Sequence, residues 1–323
     1  MKTLLLSALL VSSAAFAHGD QDWSTDYQAF LSVEYETLPL AKNNVPFSPR
    51  VDMEFFKEKL SVLAGVTGIP GSGQVIPERK SDVGLDLTRK FLADEYTALG
   101  FQVGYQPFSS GVNFIAEKKG TTHPEKVLII SAHIDSVGNK GANDDGTGVI
   151  GLLAVSKILS QNSYPITIRV LGFDREEQGM RGSDAYVAAL KDKQNIIGDI
   201  HFEMMGFNGR KDGAFHVIDC NSGVFGGNRP IDNSLFLSQS MKESIAELNL
   251  ALTISKACTD RSDHASFWKN KIPAIVISEN FFGGDGDPCY HAKCDVMDDR
   301  LDYDYMGKIL EALLRTIEKQ AAR

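Results

Sequence analysis

Basic residues are outnumbered in this sequence: 33 Lys and Arg face 42 Asp and Glu, a formal net charge of -9 over 323 residues. They form no stripe and no long run, which argues against nucleic acid as a partner. No internal repeat or low-complexity segment is evident, which sets repeat arrays aside. The apolar run at residues 4–11 is too short to span a bilayer as a stable helix, and no later run is long and apolar enough. Cysteine is sparse, with only Cys220, Cys258, Cys289 and Cys294. Their C-x₄-C spacing lacks a matching second pair, which speaks against a cysteine metal site. Four cysteines allow three pairings. Cys289 and Cys294 flank a loop small enough to close on itself and are the favoured pair. Cys220 and Cys258 are then left as a possible second bridge.

The composition, 43% hydrophobic and 23% charged, suits one large α/β domain or one domain with a short appendage. The N-terminus reads as a secretory signal over residues 1–17. Lys2 gives the positive start, residues 4–11 the apolar core, and Ala15-Phe16-Ala17 the cleavage site. The expected mature protein is soluble and either secreted or periplasmic, where disulfides are permitted. Residues 18–50 show no periodicity and are broken by Pro39, Pro46 and Pro49. They are an N-terminal arm or a removable pro-segment. Residues 51–323 make up the main domain, with no internal boundary.

Within that domain, apolar residues recur at helical spacing over 52–63, 83–99, 149–160, 183–191, 233–248 and 301–319. Short β-branched runs bounded by turn residues read as strands over 101–105, 112–117, 127–131, 166–173, 199–204, 214–218 and 272–278. The alternation predicts a single α/β domain, with a mixed, mostly parallel central sheet and helices on both faces. The stretch over 127–183 repeats strand, acidic loop, helix. Three polar clusters fall where strands end: His133 and Asp135, then Asp144 and Asp145, then Glu176 and Glu177. Ligands of open α/β sheets sit beyond the carboxyl ends of the strands, so the three clusters should converge.

Their chemistry points to a metal. One imidazole among carboxylates suits a hard to borderline cation, and the imidazole favours zinc. Asp135, two residues from His133, lies on the same side of an extended chain and can hold the spare ring N–H. Asp145 is placed to cap the helix that begins near Thr147. Asp144 has less reason to be there unless it binds cations, and its two oxygens can bridge two metals. Glu176 and Glu177 are adjacent, so one can ligate while the other takes a proton. Glu203 ends another apolar strand, and His291 sits between Cys289 and Cys294. Two histidines and three carboxylates, with one carboxylate free, fit two zinc ions about 3.5–4 Å apart. The reaction is then hydrolysis, most naturally of an amide.

The motifs AHIDS, GANDDGTG, EEQGMRGS, FEMMG, RSDHASFW and DPCYHAKCD, in that order, carry a family resemblance. Over roughly residues 83–314 the chain resembles the co-catalytic zinc peptidases of the secreted bacterial leucyl aminopeptidase type. That family also holds glutamate carboxypeptidases and glutaminyl cyclases. The resemblance implies a zinc-exopeptidase, phosphorylase/hydrolase-like fold and two Zn²⁺ per chain. It assigns His133, Asp144, Glu177, Glu203 and His291 as metal ligands, with Asp144 bridging. Glu176 becomes the general base for a water on zinc, and Asp135 the residue that orients His133. Glu203 stands where many aminopeptidases of the family have Asp. The DPCYHAKCD pattern supports the Cys289–Cys294 bridge, and Asp263 and His264 fall at the floor of the site. Tyr290, next to His291, is a candidate phenol donor to the oxyanion. The implied function is a secreted di-zinc aminopeptidase acting on peptide substrates. A carboxypeptidase or dipeptidase, and a one-zinc glutaminyl cyclase, are the alternatives. The compact EEQGMRGS segment favours the peptidases over the cyclases.

Overall fold

The computed structural model describes residues 35–36, 48–220 and 231–323. The expected signal peptide and nearly all of the expected arm lie outside the described residues. Nine strands form one sheet among them, in the order β1-β8-β7-β9-β6-β4-β5-β3-β2. In chain order these are β1 (Tyr35–Glu36), β2 (Gln102–Phe108), β3 (Gly111–Lys118), β4 (His123–His133), β5 (Ile166–Phe173), β6 (Ile196–Glu203), β7 (Ala214–Ile218), β8 (Thr253–Ser255) and β9 (Ala274–Glu279). The centre is parallel: β4 pairs with β5 and β6, and β6 pairs with β9. Antiparallel pairing lies to either side, as β2–β3–β5 and as β9–β7. The expected mixed sheet is therefore present, its parallel centre holding the strands that carry the polar clusters and β7–β8 forming a further parallel pair toward one edge.

Both faces of the centre are covered, as parallel strands require. Alternate residues of β4 show how. Leu128 and Ile130 point into the larger core with Ile168, Val170, Ile200 and Phe202. Val127 and Ile129 point into a smaller core with Leu171, Phe173, Tyr186 and Phe267. On the larger side lies α3 (Gly146–Leu159), whose residues are buried almost all round because α1 (Met53–Leu63) and α7 (Tyr303–Ala321) pack over it. Next to α7 is α5 (Leu235–Glu247), and α2 (Asp82–Ala98) packs on β2 and β3. The smaller side holds α4 (Arg181–Ala189) and α6 (His264–Lys269). Helix starts carry acceptor side chains: Asp52 accepts from the Phe55 N–H at 3.0 Å, Asp145 from Gly148 at 3.0 Å, and Asp302 from Tyr305 at 3.1 Å.

Three short elements had no periodic signal. β1 and β8 have two and three residues, and α6 has six, five of them buried. Segments this short are held by their neighbours rather than by their own pattern. Both bridges form: Cys220–Cys258 with Cα atoms 4.6 Å apart, and Cys289–Cys294 at 5.3 Å.

One buried histidine ties the sheet to the loop that follows β9. In His216 of β7, Nδ1 lies 2.8 Å from the Ser255 carbonyl, and Nε2 accepts from the Phe282 N–H at 3.0 Å. A ring that donates at one nitrogen and accepts at the other is neutral, and burial lowers its pKa to about 4. The unfolded ring titrates near 6.5, so this stabilisation is present above that pH. It is lost as the pH falls from 6.5 toward 4, by about 2–3 kcal/mol. Unfolding free energies of the metal-free protein at pH 7 and pH 4.5 should therefore differ less in His216→Gln than in the parent. An identical pH dependence would exclude this role.

Candidate metal centre

Each ligand candidate occupies a position that the parallel strands create. His133 is the last residue of β4, and Glu203 the last of β6. Asp144 stands just before the cap of α3, and Glu176 and Glu177 open a short 3₁₀ turn beyond β5. His291 arrives from the other direction, on the loop clipped by Cys289–Cys294. Two triads result, His133–Asp144–Glu203 and Asp144–Glu177–His291. Asp144 belongs to both. Its Oδ1 is 3.1 Å from His133 Nε2, and its Oδ2 is 3.2 Å from His291 Nε2. Glu203 Oε1 lies 3.6 Å from His133 Nε2, and Glu177 Oε2 lies 3.0 Å from His291 Nε2. All five residues expected as ligands thus meet.

A network of acceptors fixes the backbones that carry them. Asp135 Oδ1 lies 3.4 Å from His133 Nδ1, and the same carboxylate accepts the N–H groups of Glu176 at 3.0 Å and Glu177 at 3.2 Å. It therefore sets the β5 turn as well as facing the imidazole. Asp145 caps α3 and also accepts from the N–H groups of His133 at 3.3 Å and Met204 at 3.0 Å. Asp295 accepts from the Asn143 and Asp144 N–H groups at 2.8 and 3.1 Å. It joins the His291 loop to the Asp144 loop. The fully buried Arg79 donates to the carbonyls of Ile134 and Gly141 at 2.9 and 2.8 Å. The Asp144–Asp145 peptide bond is cis. Met204 and His291 adopt positive φ of 29° and 56°, a conformation that costs energy outside glycine and clusters at functional sites.

The electrostatics follow from crowding carboxylates around two imidazoles. Burial pulls the His133 pKa down, but Glu203, Asp135 and Asp144 outweigh it and hold the ring well above its ordinary value. His291 likewise rises to about 10, because Asp144 and Glu177 outweigh its burial. Glu177 is pushed up to about 7 by burial and by the Asp144 charge, and its buried Oε1 has no hydrogen-bond partner. Burial raises Glu176 well above the usual carboxylate range, and Asp263, Glu177 and Glu203 add to the effect. The metal-free cup holds negative charge that protons on the two imidazoles partly balance. Two nitrogens and carboxylate oxygens converging on such points suit zinc.

Tyr290 stacks on His291, ring centroids 3.8 Å apart, and meets Phe281 edge-on at 4.8 Å. Both contacts hold the loop at the metal edge. At the floor, His264 Nε2 lies 3.0 Å from the Thr259 carbonyl, and its ring meets Trp268 edge-on at 4.4 Å. Asp263 is fully buried there. Neither belongs to a triad. Sequence reasoning missed Arg79, Asp295, His201 and Ser262, all buried beside the ligands. For His201 a signal existed: Asp199, His201 and Glu203 alternate along an otherwise apolar strand.

The model of Peptidase family M28 matches residues 113–317. Leucine aminopeptidase 2 of Arthroderma otae is 28% identical over 204 residues, 58% of this chain and 40% of that protein. The chain thus spans about two fifths of the length of that curated relative. LapA aminopeptidase of Legionella pneumophila superposes with a TM-score of 0.69 at 17% identity, covering 100% of this chain and 80% of LapA. Porphyromonas gingivalis glutaminyl cyclase gives 0.67 at 16% identity, covering 84% of this chain and 100% of the cyclase. At such identities the two structures share the fold and no more.

Proposed function

Because this chain belongs to peptidase family M28, we propose that it is an exported zinc aminopeptidase that binds two Zn²⁺ through the two triads. The observation that carries the reading is the division of Asp144, one oxygen toward each imidazole. A carboxylate shared in this way serves a pair of cations better than a single one. His133 and Glu203 would hold one ion, Glu177 and His291 the other, with Asp144 between them. Zinc, when bound, polarises the scissile carbonyl and lowers the pKa of water.

The chain's own groups account for the remaining chemistry. Glu176 has no place in either triad, while its neighbour Glu177 does. Its raised pKa suits a carboxylate that takes a proton from water and returns it to the amine nitrogen as the C–N bond breaks. Asp135 aligns this base with the ligands, because it holds the N–H groups of both glutamates. The Tyr290 phenol, beside His291, is the donor to the developing oxyanion. Export is supported by the signal-like N-terminus and by both disulfides.

Hydrolysis of free aminoacyl peptides, N-blocked peptides and peptides with N-terminal glutamine separates the possibilities. The aminopeptidase releases the first residue of the free peptides only. Cleavage of the blocked peptides instead would indicate a carboxypeptidase, and cyclisation of the glutamine peptides without hydrolysis a cyclase. On the substrate that is turned over, Glu176→Gln should keep its metal and lose about 10²–10⁴-fold in rate. Loss of zinc in that variant would exchange the roles of the two glutamates. Tyr290→Phe should lower kcat by about 10–10³-fold with KM and zinc unchanged. An unchanged kcat would reduce Tyr290 to its packing role.

A further inference from the structure

Behind Glu203 lies a line of buried polar groups that the proposed reaction does not use. Asp199, His201 and Glu203 share one face of β6, and Ser131 of β4 stands directly opposite His201. Ser131 Oγ donates to Asp199 Oδ1 at 2.8 Å and lies 2.9 Å from His201 Nδ1. On the other side of the ring, His201 Nε2 is 3.0 Å from Ser262 Oγ, which donates to Glu203 Oε2 at 2.7 Å. The order is Asp199, Ser131, His201, Ser262, Glu203. Asp199, Ser131 and His201 are fully buried, and Ser262 is 5% exposed.

Counting donors gives this line a direction. Ser262 has one O–H proton, spent on Glu203 Oε2. Its contact with His201 is then satisfied only if Nε2 carries a hydrogen and donates to Oγ. An Nε2 lone pair facing an Oγ lone pair at 3.0 Å would be repulsive. At the other end, Ser131 has one hydroxyl proton for two contacts, so a second proton, on His201 Nδ1 or on Asp199, satisfies both. The imidazole thus fixes the Ser262 hydroxyl, the hydroxyl occupies Oε2 of Glu203, and His201 Nε2 itself lies 3.4 Å from that same oxygen. The other oxygen, Oε1, is the one that faces His133.

Glutamate has one more methylene and one more torsion than aspartate. Its carboxylate can turn between offering one oxygen and offering both, and ordering it costs rotamer entropy. We propose that His201 is a positioning residue that, through Ser262, restricts Glu203 to presenting Oε1 alone. It thereby sets the affinity of the metal position formed by His133, Asp144 and Glu203. This inference rests on the two-metal reading above. Groups that orient a metal ligand in this way contribute about 10–100-fold in metal affinity.

The test is a zinc titration of metal-free protein against a chromophoric chelator. His291→Ala leaves only the His133–Asp144–Glu203 position, and His133→Ala leaves only the other. Adding His201→Phe, which fills the space without polar atoms, should weaken zinc binding about 10–100-fold in the first background. In the second background the change should stay within about threefold. Ser131→Ala, which removes the anchor behind the ring, should act in the same direction and keeps the test open if His201→Phe does not fold. Unchanged affinity in the His291→Ala background, or equal losses in both backgrounds, overturns the positioning role. If the parent itself takes up no zinc, the two-metal reading fails and the inference falls with it. A parent that binds two ions while the variants match it sinks the inference alone.

Discussion

The centre of this protein depends on the two oxygens of Asp144. One faces His133 at the end of the central strand β4, and the other faces His291 on a distant loop. Much of the surrounding structure serves to place that carboxylate. Its own N–H is held by Asp295, its carbonyl lies against buried Arg79, and the next residue caps α3. Asp145 and Asp295 each join two ligand-bearing segments, so moving one ligand disturbs another. Arg79, which meets Asp144 only at its backbone carbonyl, belongs to the same mechanical unit.

Gathering Asp144, Glu177 and Glu203 in a largely buried cup is unfavourable unless positive charge balances them. Without metal that charge sits on the two histidines, which explains why both are drawn up in pKa against their burial. Cations at the same points would release those protons and satisfy the unpartnered Glu177 oxygen. Carboxylates crowd together at the strand ends, where the layers leave an open edge, and a cation held there would offset their repulsion.

The clusters over residues 127–183 were legible in the sequence because each interrupts an apolar run at a strand end. A parallel sheet brings such ends together whatever the details of packing. Glu203 was legible for the same reason, and His291 through its place between two cysteines. The supporting residues were not. Arg79 and Asp295 act on backbone atoms far away in sequence, and no local pattern marks such contacts. His201 left a faint trace in the alternation of polar residues along β6, where a strand of that core should be apolar. β8 and α6 went unread because three and six residues are too few to display a period. Tyr290 was placed next to the site by its neighbour His291, and the structure adds the stack of its ring on that histidine.

The central claim is that one carboxylate serves two metal positions. Metal analysis of the dialysed protein, parent and Asp144→Asn side by side, addresses it directly. The account predicts close to two zinc ions per chain in the parent and loss of both in the variant. It would be contradicted by a fully active parent that retains a single ion, or by a variant that still holds two.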